Sequence, residues 1–187
     1  MFTYVDFSRL SGGYTAACER LPEAPAVYAF FRKIQLPSGA DDFVSAILAT
    51  VRQAAAPKRK SRVGPLHEVE LASFSTLSDT KEKHLRQLAE DSDFREFLSL
   101  IMETSSLLQA PLYVGKAESL QSRIRQHLEP TSDLNTRLHD SNIRLTDAVL
   151  AYSVVDDPPF TLTPDVLYLI EELITRTCRP GFVSRIG

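Results

Sequence analysis

The fold of this chain is decided by two short stretches of sequence, LYVGK at 112–116 and RIRQH at 123–127. They predict a short strand, a glycine turn and a helix that presents Arg123 and His127 one turn apart. A tyrosine, a lysine, an arginine and a histidine therefore fall within positions 113–127. Each of these side chains can donate to a phosphate oxygen or pair with it, so the combination favours phosphodiester chemistry over a packing core.

Strands and helices are predicted on both sides of these stretches, which indicates a mixed class. The aromatic and apolar run AVYAFF at 26–31 is typical of a buried strand. We expect an α+β fold in which a small antiparallel three-stranded sheet is flanked by helices. The predicted strands are 26–32, 111–115 and 147–155, and the predicted helices are 118–128 and 164–178.

A long insertion separates the first two predicted strands. Its first apolar residues follow helical spacing: Phe43, Val44, Ile47, Leu48 and Val51. We therefore divide the chain into a sheet domain, 1–34 with 109–187, and a helical insertion subdomain, 35–108. The insertion could contact DNA, form a homodimer or dock another protein, and the sequence leaves these alternatives open.

The composition bounds the class of protein. The chain has 187 residues, 43% hydrophobic, with a formal net charge of −3, so a general nucleic-acid binder, which is usually basic, is disfavoured. Two cysteines, Cys18 and Cys178, cannot build a disulfide framework. No apolar run approaches the roughly 18 residues that span a bilayer, so no membrane partner is expected. The first residues carry no signal-peptide pattern, so we expect a cytoplasmic protein.

The helix at 118–128 combines an apolar stripe with polar residues at its border. Leu120, Ile124 and Leu128 would face the core, and Arg123 and His127 fall together along one edge of that stripe. Such residues can reach into a cleft while the helix stays anchored. An ordinary amphipathic helix with a solvated arginine and histidine is the alternative, and it would be preferred without the tyrosines and the glutamate.

The last helix offers a carboxylate in a similar position. Its predicted buried stripe consists of Val166, Ile170, Leu173, Ile174 and Thr177. Glu171 falls roughly 110° from the centre of this stripe and Glu172 roughly 150°, by helical arithmetic. Glu171 is therefore predicted at the border, and Glu172 in open solvent.

Several elements of this pattern, taken together in their order and spacing, resemble the GIY-YIG nuclease superfamily. The triplets read AVY at 26–28 and YVG at 113–115, where members carry Gly-Ile-Tyr-like and Tyr-Ile-Gly-like triplets. The other matching positions are Lys116, Arg123 and His127, at three, ten and fourteen residues beyond Tyr113, and Glu171, nine residues before Pro180. Ala26 replaces the usual glycine, and Ser184 stands where an asparagine often follows the proline. The long insertion between the triplets resembles the restriction-endonuclease-like branch.

The resemblance implies a divalent-metal-dependent endonuclease that hydrolyses DNA phosphodiester bonds, in restriction or phage defence. Glu171 would bind one Mg²⁺ or Mn²⁺ ion, and Arg123 would neutralise the phosphate. Tyr28 or Tyr113 would position or deprotonate the attacking water, assisted by a nearby cation, for which Lys116 is well placed.

His127 would add hydrogen bonding or proton transfer with a pKa near neutrality. Which tyrosine is the base stays open, and so does the choice between DNA and RNA. The alternative function is a catalytically silent or partner-dependent module of the same fold that binds nucleic acid or protein.

Overall fold

The structure is a computed structural model that describes residues 3–7, 16, 18–53, 59–62, 68–71, 76–155, 162–178 and 180–181, with only the backbone of 53, 59–62 and 68–71. Contacts divide the chain into two units, Met1–Lys33 with Thr104–Gly187, and Ile34–Glu103. The predicted boundaries differ from these by one and five residues. The larger difference arises because a 3₁₀ turn at Ser105–Leu108 packs against the first predicted strand.

The first unit is built on an antiparallel sheet. Its strands are β1 (Thr3–Asp6), β2 (Ala26–Arg32), β5 (Tyr113–Ala117) and β6 (Ala148–Val154), in the spatial order β1-β6-β2-β5. The α+β class is therefore confirmed, but the prediction of three strands is wrong, because β1 adds a fourth along β6. Strand β5 begins two residues later than predicted. It starts after Pro111, which has no backbone donor for a sheet ladder.

Helices cover both faces of this sheet. They are α4 (Leu120–Leu128), α5 (Asp133–Asp140) and α6 (Pro164–Cys178). The α4 face carries Ala26, Tyr28 and Phe30 of β2, which pack with Leu120 and Ile124 of α4. The opposite face, the α6 face, carries Val27, Ala29 and Phe31, which line a cavity together with Ile174 and Cys178 of α6.

The cavity on the α6 face has a volume of about 280 Å³. At the far end of this face, a buried ion pair joins Lys33 Nζ to Asp6 Oδ2 at 2.5 Å. Both side chains are less than one-tenth exposed, so the pair ties the end of β1 to the residue after β2. The α6 face therefore has a buried ion pair at one end and a cavity under its helix.

The second unit contains α1 (Ala40–Gln53), α2 (Asp79–Leu88), α3 (Ser92–Thr104) and a hairpin of β3 (Arg59–Arg62) and β4 (Glu68–Leu71). Phe43, Val44 and Ile47 are buried in its core, in agreement with the predicted helical stripe. The prediction of a helical insertion subdomain did not include the hairpin. Its strands read RKSR and EVEL, and neither is a typical apolar strand.

Candidate active site

The centre of the candidate site is Tyr28, in the middle of β2. Its side chain is 1% exposed, and its hydroxyl forms a 2.6 Å hydrogen bond with His127 Nε2. Burial, and then the neighbouring Tyr113, raise the pKa of Tyr28 well above its ordinary value. The phenol is therefore neutral and sealed from solvent, which makes it a poor candidate for direct contact with water.

Gly115 makes the space that the Tyr28 ring occupies. It lies directly opposite Tyr28 in the ladder between β2 and β5. A Cβ at this position would lie 2.5 Å from the Tyr28 hydroxyl and 2.8 Å from Tyr113 Cε1. These distances are far below ordinary contact, so only glycine lets both rings lie against the strand.

His127 lies inside the apolar stripe of α4 rather than at its border. It is 6% exposed, while Leu120 and Ile124 are fully buried and Leu128 is partly buried. Burial, reinforced by the positive charge of Arg123, lowers the pKa of His127 to about 4. The predicted pKa near neutrality is therefore wrong, and the imidazole is neutral at pH 7.

Tyr113 completes an aromatic cluster at the edge of the sheet. Its ring centroid lies 6.1 Å from that of Tyr28 and 5.2 Å from that of His127. It opens β5, an outer strand of the sheet, opposite Phe30 and diagonal to Tyr28. Because Tyr113 is only half-buried, it is the tyrosine of the pair that can reach solvent.

Arg123 is the cation beside these phenols. It is half-buried one turn before His127 and interacts with the hydroxyls of both Tyr28 and Tyr113. Burial opposes its charge, but the two hydroxyls hold the Arg123 pKa above its ordinary value. The prediction assigned the role of neighbouring cation to Lys116. It is wrong for Tyr28, because alternation along β5 places Lys116 on the opposite face from that ring.

Lys116 instead belongs to the α6 face, together with Glu171. Its ammonium lies 3.2 Å from the centroid of the Tyr168 ring on α6. Burial raises the pKa of the half-buried Glu171, and the charges of Lys116 and then Arg123 partly offset that effect. The Glu171 carboxylate therefore interacts electrostatically with a cation from each face of the sheet, Lys116 and Arg123, beside the edge strand β5.

The buried stripe of α6 is rotated from its predicted position. Leu173 is 56% exposed and Thr177 is exposed, whereas Leu167 is 2% exposed. Val166, Ile170 and Ile174 are half-buried, as predicted, but the stripe also takes in Leu167 and Glu171, four residues apart. This rotation carries Glu171 towards the sheet, while Glu172 is exposed and pairs with Arg176 at 2.7 Å, as expected for a solvent-facing residue.

The six predicted site residues thus form two connected groups. Tyr28, Tyr113, Arg123 and His127 are in mutual contact or electrostatic interaction on the α4 face, and Lys116 and Glu171 adjoin them from the α6 face. The sequence interpretation missed Tyr168 as a partner of Lys116. Its signal was available, because Tyr168 lies three residues before Glu171 on one helix. Ser184 lies outside the described residues.

The residues present suit only a hard cation with few protein ligands. Among the described residues, no group of three or more His, Cys, Asp or Glu side chains could hold a metal ion. Glu171 supplies one carboxylate, and His127 Nε2 is already bonded to Tyr28. Mg²⁺ tolerates one carboxylate when water and phosphate oxygens complete its shell, whereas a structural zinc site does not.

Comparison with known proteins gives no relative from which to transfer a function: no protein-family model, curated protein or solved structure matches this chain. Among the helices that the structure describes, none has the length and apolar character needed to cross a membrane. The geometry of the site therefore carries the functional argument.

Proposed function

We propose that this chain is a divalent-metal-dependent endonuclease of the GIY-YIG type that hydrolyses DNA phosphodiester bonds, acting in restriction or phage defence. The observation that supports the proposal is the convergence of two tyrosines, an arginine, a lysine and one carboxylate at strand β5. These groups come from β2, β5, α4 and α6, so the fold assembles them from positions 28 to 171. A packing core does not require such a set.

The cations would hold the substrate. Arg123 presents a planar guanidinium at a half-buried position, where contact with a phosphate is stronger than in bulk water. Lys116 offers a second positive charge on the side of Glu171. When bound at Glu171, Mg²⁺ or Mn²⁺ would supply the charge that polarises the scissile phosphate and stabilises the leaving 3′ oxygen.

Tyr113 is the tyrosine that we assign to the attacking water. Its half-exposed ring borders solvent, and Arg123 lies beside its hydroxyl and would stabilise negative charge there. In its phenolate form Tyr113 would take the proton of the water as the oxygen–phosphorus bond forms and the bond to the 3′ oxygen breaks. Tyr28 and His127 would act through Tyr113 by fixing the position of its ring.

The test is cleavage of plasmid DNA with Mg²⁺ by the wild type and by Glu171→Ala and Arg123→Ala. We expect losses of about 10²–10³-fold, the range found when one charge-stabilising group is removed from an active site. Glu172→Ala and Arg125→Ala are matched controls, because both residues are exposed and lie on the same helices. Undiminished cleavage by either site variant would exclude the assignment, and an RNA duplex of the same sequence tests the alternative substrate.

A catalytically silent module that binds nucleic acid or protein is the second candidate. It is favoured by the sparse ligand set, since the described residues contain no group of three or more side chains that could hold a metal ion. A melting-temperature titration with Mg²⁺ separates the two functions. A metal site stabilises the folded state by about 2.7 kcal/mol at a hundredfold excess over its dissociation constant, and a silent module gives no such rise.

A further inference from the structure

Tyr168 has no role in the function proposed above, yet it contacts one of the site's cations. Its ring is 60% exposed at the surface of α6, and the Lys116 ammonium lies over the ring, 3.2 Å from its centroid. A cation within about 6 Å of an aromatic centroid is attracted by the negative face of the ring. The contact therefore restrains a flexible side chain that would otherwise sample many rotamers.

The position of Tyr168 also brings this cation close to Glu171. Residues three apart on a helix are surface neighbours, so Tyr168 and Glu171 lie on adjoining positions of α6. The charge of Lys116 acts on the Glu171 carboxylate. Even so, across the described residues no ion pair within 4.0 Å joins Lys116 to Glu171. The Lys116 ammonium is therefore close enough to affect the Glu171 carboxylate, but its direct contact is with the Tyr168 ring.

We propose that Tyr168 is a positioning residue whose ring holds the Lys116 ammonium apart from the Glu171 carboxylate. The carboxylate then stays available to a divalent cation, and the ammonium to a phosphate oxygen. Without the ring, the lysine would close on Glu171 as a salt bridge and compete with the metal for the same oxygens. The part of this inference that concerns the metal rests on the proposed function, and the position of Lys116 does not.

The position is tested by NMR on the full chain after reductive ¹³C-dimethylation, which keeps the lysine charge. We expect the Lys116 methyl signal, assigned by its loss in Lys116→Arg, to be shifted upfield by the ring current of Tyr168. Tyr168→Phe should keep the shift and Tyr168→Leu should remove it. A Lys116 signal that is the same in wild type and Tyr168→Leu would overturn the proposal, whatever the protein's activity.

The competition with metal is tested by Mg²⁺ titration, measured by calorimetry because Lys116 is itself assigned to the substrate phosphate. Tyr168→Leu should raise the Mg²⁺ concentration for half-saturation about tenfold, and the double variant Tyr168→Leu/Lys116→Met should restore it, because no ammonium remains to close on Glu171. A merely structural role for Tyr168 predicts no such rescue. Leu169→Ala is the control, because Leu169 is 56% exposed on the same helix.

The two experiments separate the failure of this proposal from the failure of the proposed function. A wild type that neither binds Mg²⁺ nor cleaves DNA would overturn the nuclease function and the metal competition together. The ring-current measurement would then still decide whether Tyr168 holds Lys116. Mg²⁺ binding by the wild type without rescue in the double variant would overturn the competition alone.

Discussion

The two faces of the sheet differ in how completely they are closed. On the α4 face, Tyr28 is 1% exposed, and Leu120 and Ile124 are fully buried. On the α6 face, Val27 and Ala29 are also buried, but a cavity of about 280 Å³ lies under the helix, and Tyr168 and Leu169 of that helix are more than half exposed. Close packing fixes side chains in one arrangement, and open surface gives solutes access. The α4 face is therefore packed tightly enough to fix the side chains of the candidate site, whereas the α6 face leaves open space under its helix.

The substitution with the largest expected effect, Gly115→Ala, tests how tightly the α4 face is packed. Gly115→Ala places a Cβ 2.5 Å from the Tyr28 hydroxyl, in a space bounded by Tyr113. We expect a loss of at least about 3 kcal/mol in the free energy of unfolding, at the upper end of the cost of overpacking. Urea denaturation measures this loss. Gly181→Ala is the control, because its Cβ would lie 4.0 Å from the nearest atom, and equal effects of the two substitutions would contradict a tightly packed slot.

Acid should lower the free energy of unfolding, because His127 is buried in its neutral form on the α4 face. Its pKa is about 4 in the folded chain against an ordinary value of 6.5, so the unfolded chain binds the proton more readily between these values. The contribution of His127 to the free energy of unfolding is complete above pH 6.5 and is lost as the pH falls to about 4. We expect the loss to be roughly 2 kcal/mol, because the structure around a charged imidazole can adjust and so reduce its cost.

Urea denaturation between pH 6.5 and about 4 measures how steeply the free energy of unfolding falls with pH, and His127→Gln should make that fall shallower. Glu171 contributes with the opposite sign, because burial raises its pKa, so its penalty is relieved as pH falls through that raised pKa. An unchanged slope in His127→Gln would show that the imidazole is not buried in its neutral form.

The two tyrosines should separate stability from activity. Tyr28→Phe removes the partner of His127 Nε2 and should cost about 1–2 kcal/mol of stability, because a buried polar atom loses its hydrogen bond. Tyr113→Phe should change stability by less than about 0.5 kcal/mol, as a half-exposed substitution does, while lowering Mg²⁺-dependent cleavage about a hundredfold. Denaturation and plasmid cleavage measure both variants, and the reverse pattern would exchange the roles assigned to the rings.

The last prediction concerns the reactivity of the two cysteines, one on each face of the sheet, and involves no change in stability. Cys18 belongs to the core on the α4 face at 1% exposure, and burial raises the pKa of its thiol. Cys178, on the α6 face, is exposed. A thiol reagent should label Cys178 at least about a hundredfold faster, because the reagent reaches the exposed thiol directly, whereas burial covers Cys18 and raises the pKa of its thiol. Equal rates, read by peptide mass spectrometry, would mean that the two faces open equally.

Local sequence patterns predicted most of the elements that carry the site. The apolar spacing of α4 and the β-forming residues of β2 appear within single turns and short runs, so periodicity was enough to find them. Strand β1 was missed because Thr3–Asp6 has only four residues and pairs with β6, about 145 positions further along the chain. No local signal reports such a distant pairing.

The environment of individual site residues was harder to predict than their position on an element. His127 lies among apolar residues because Tyr28, 99 residues away, supplies its hydrogen-bond partner. Glu171 turned towards the sheet because α6 packs on Leu167, whereas the sequence also offered Leu173 as a core residue. Both outcomes depend on tertiary contacts, which a helical pattern alone leaves undecided.

The insertion between β2 and β5 has a consequence for how fast the sheet can form. The chain leaves β2 at Arg32 and returns beside it, where the Leu112 amide donates to the Phe30 carbonyl at 2.7 Å. Adjacent strands that a hairpin could join are thus separated by some 80 positions. Because distant pairings slow folding, a shortened chain in which a tight turn replaces 34–103 should assemble its sheet faster than the full chain. Stopped-flow refolding of both chains would time that difference.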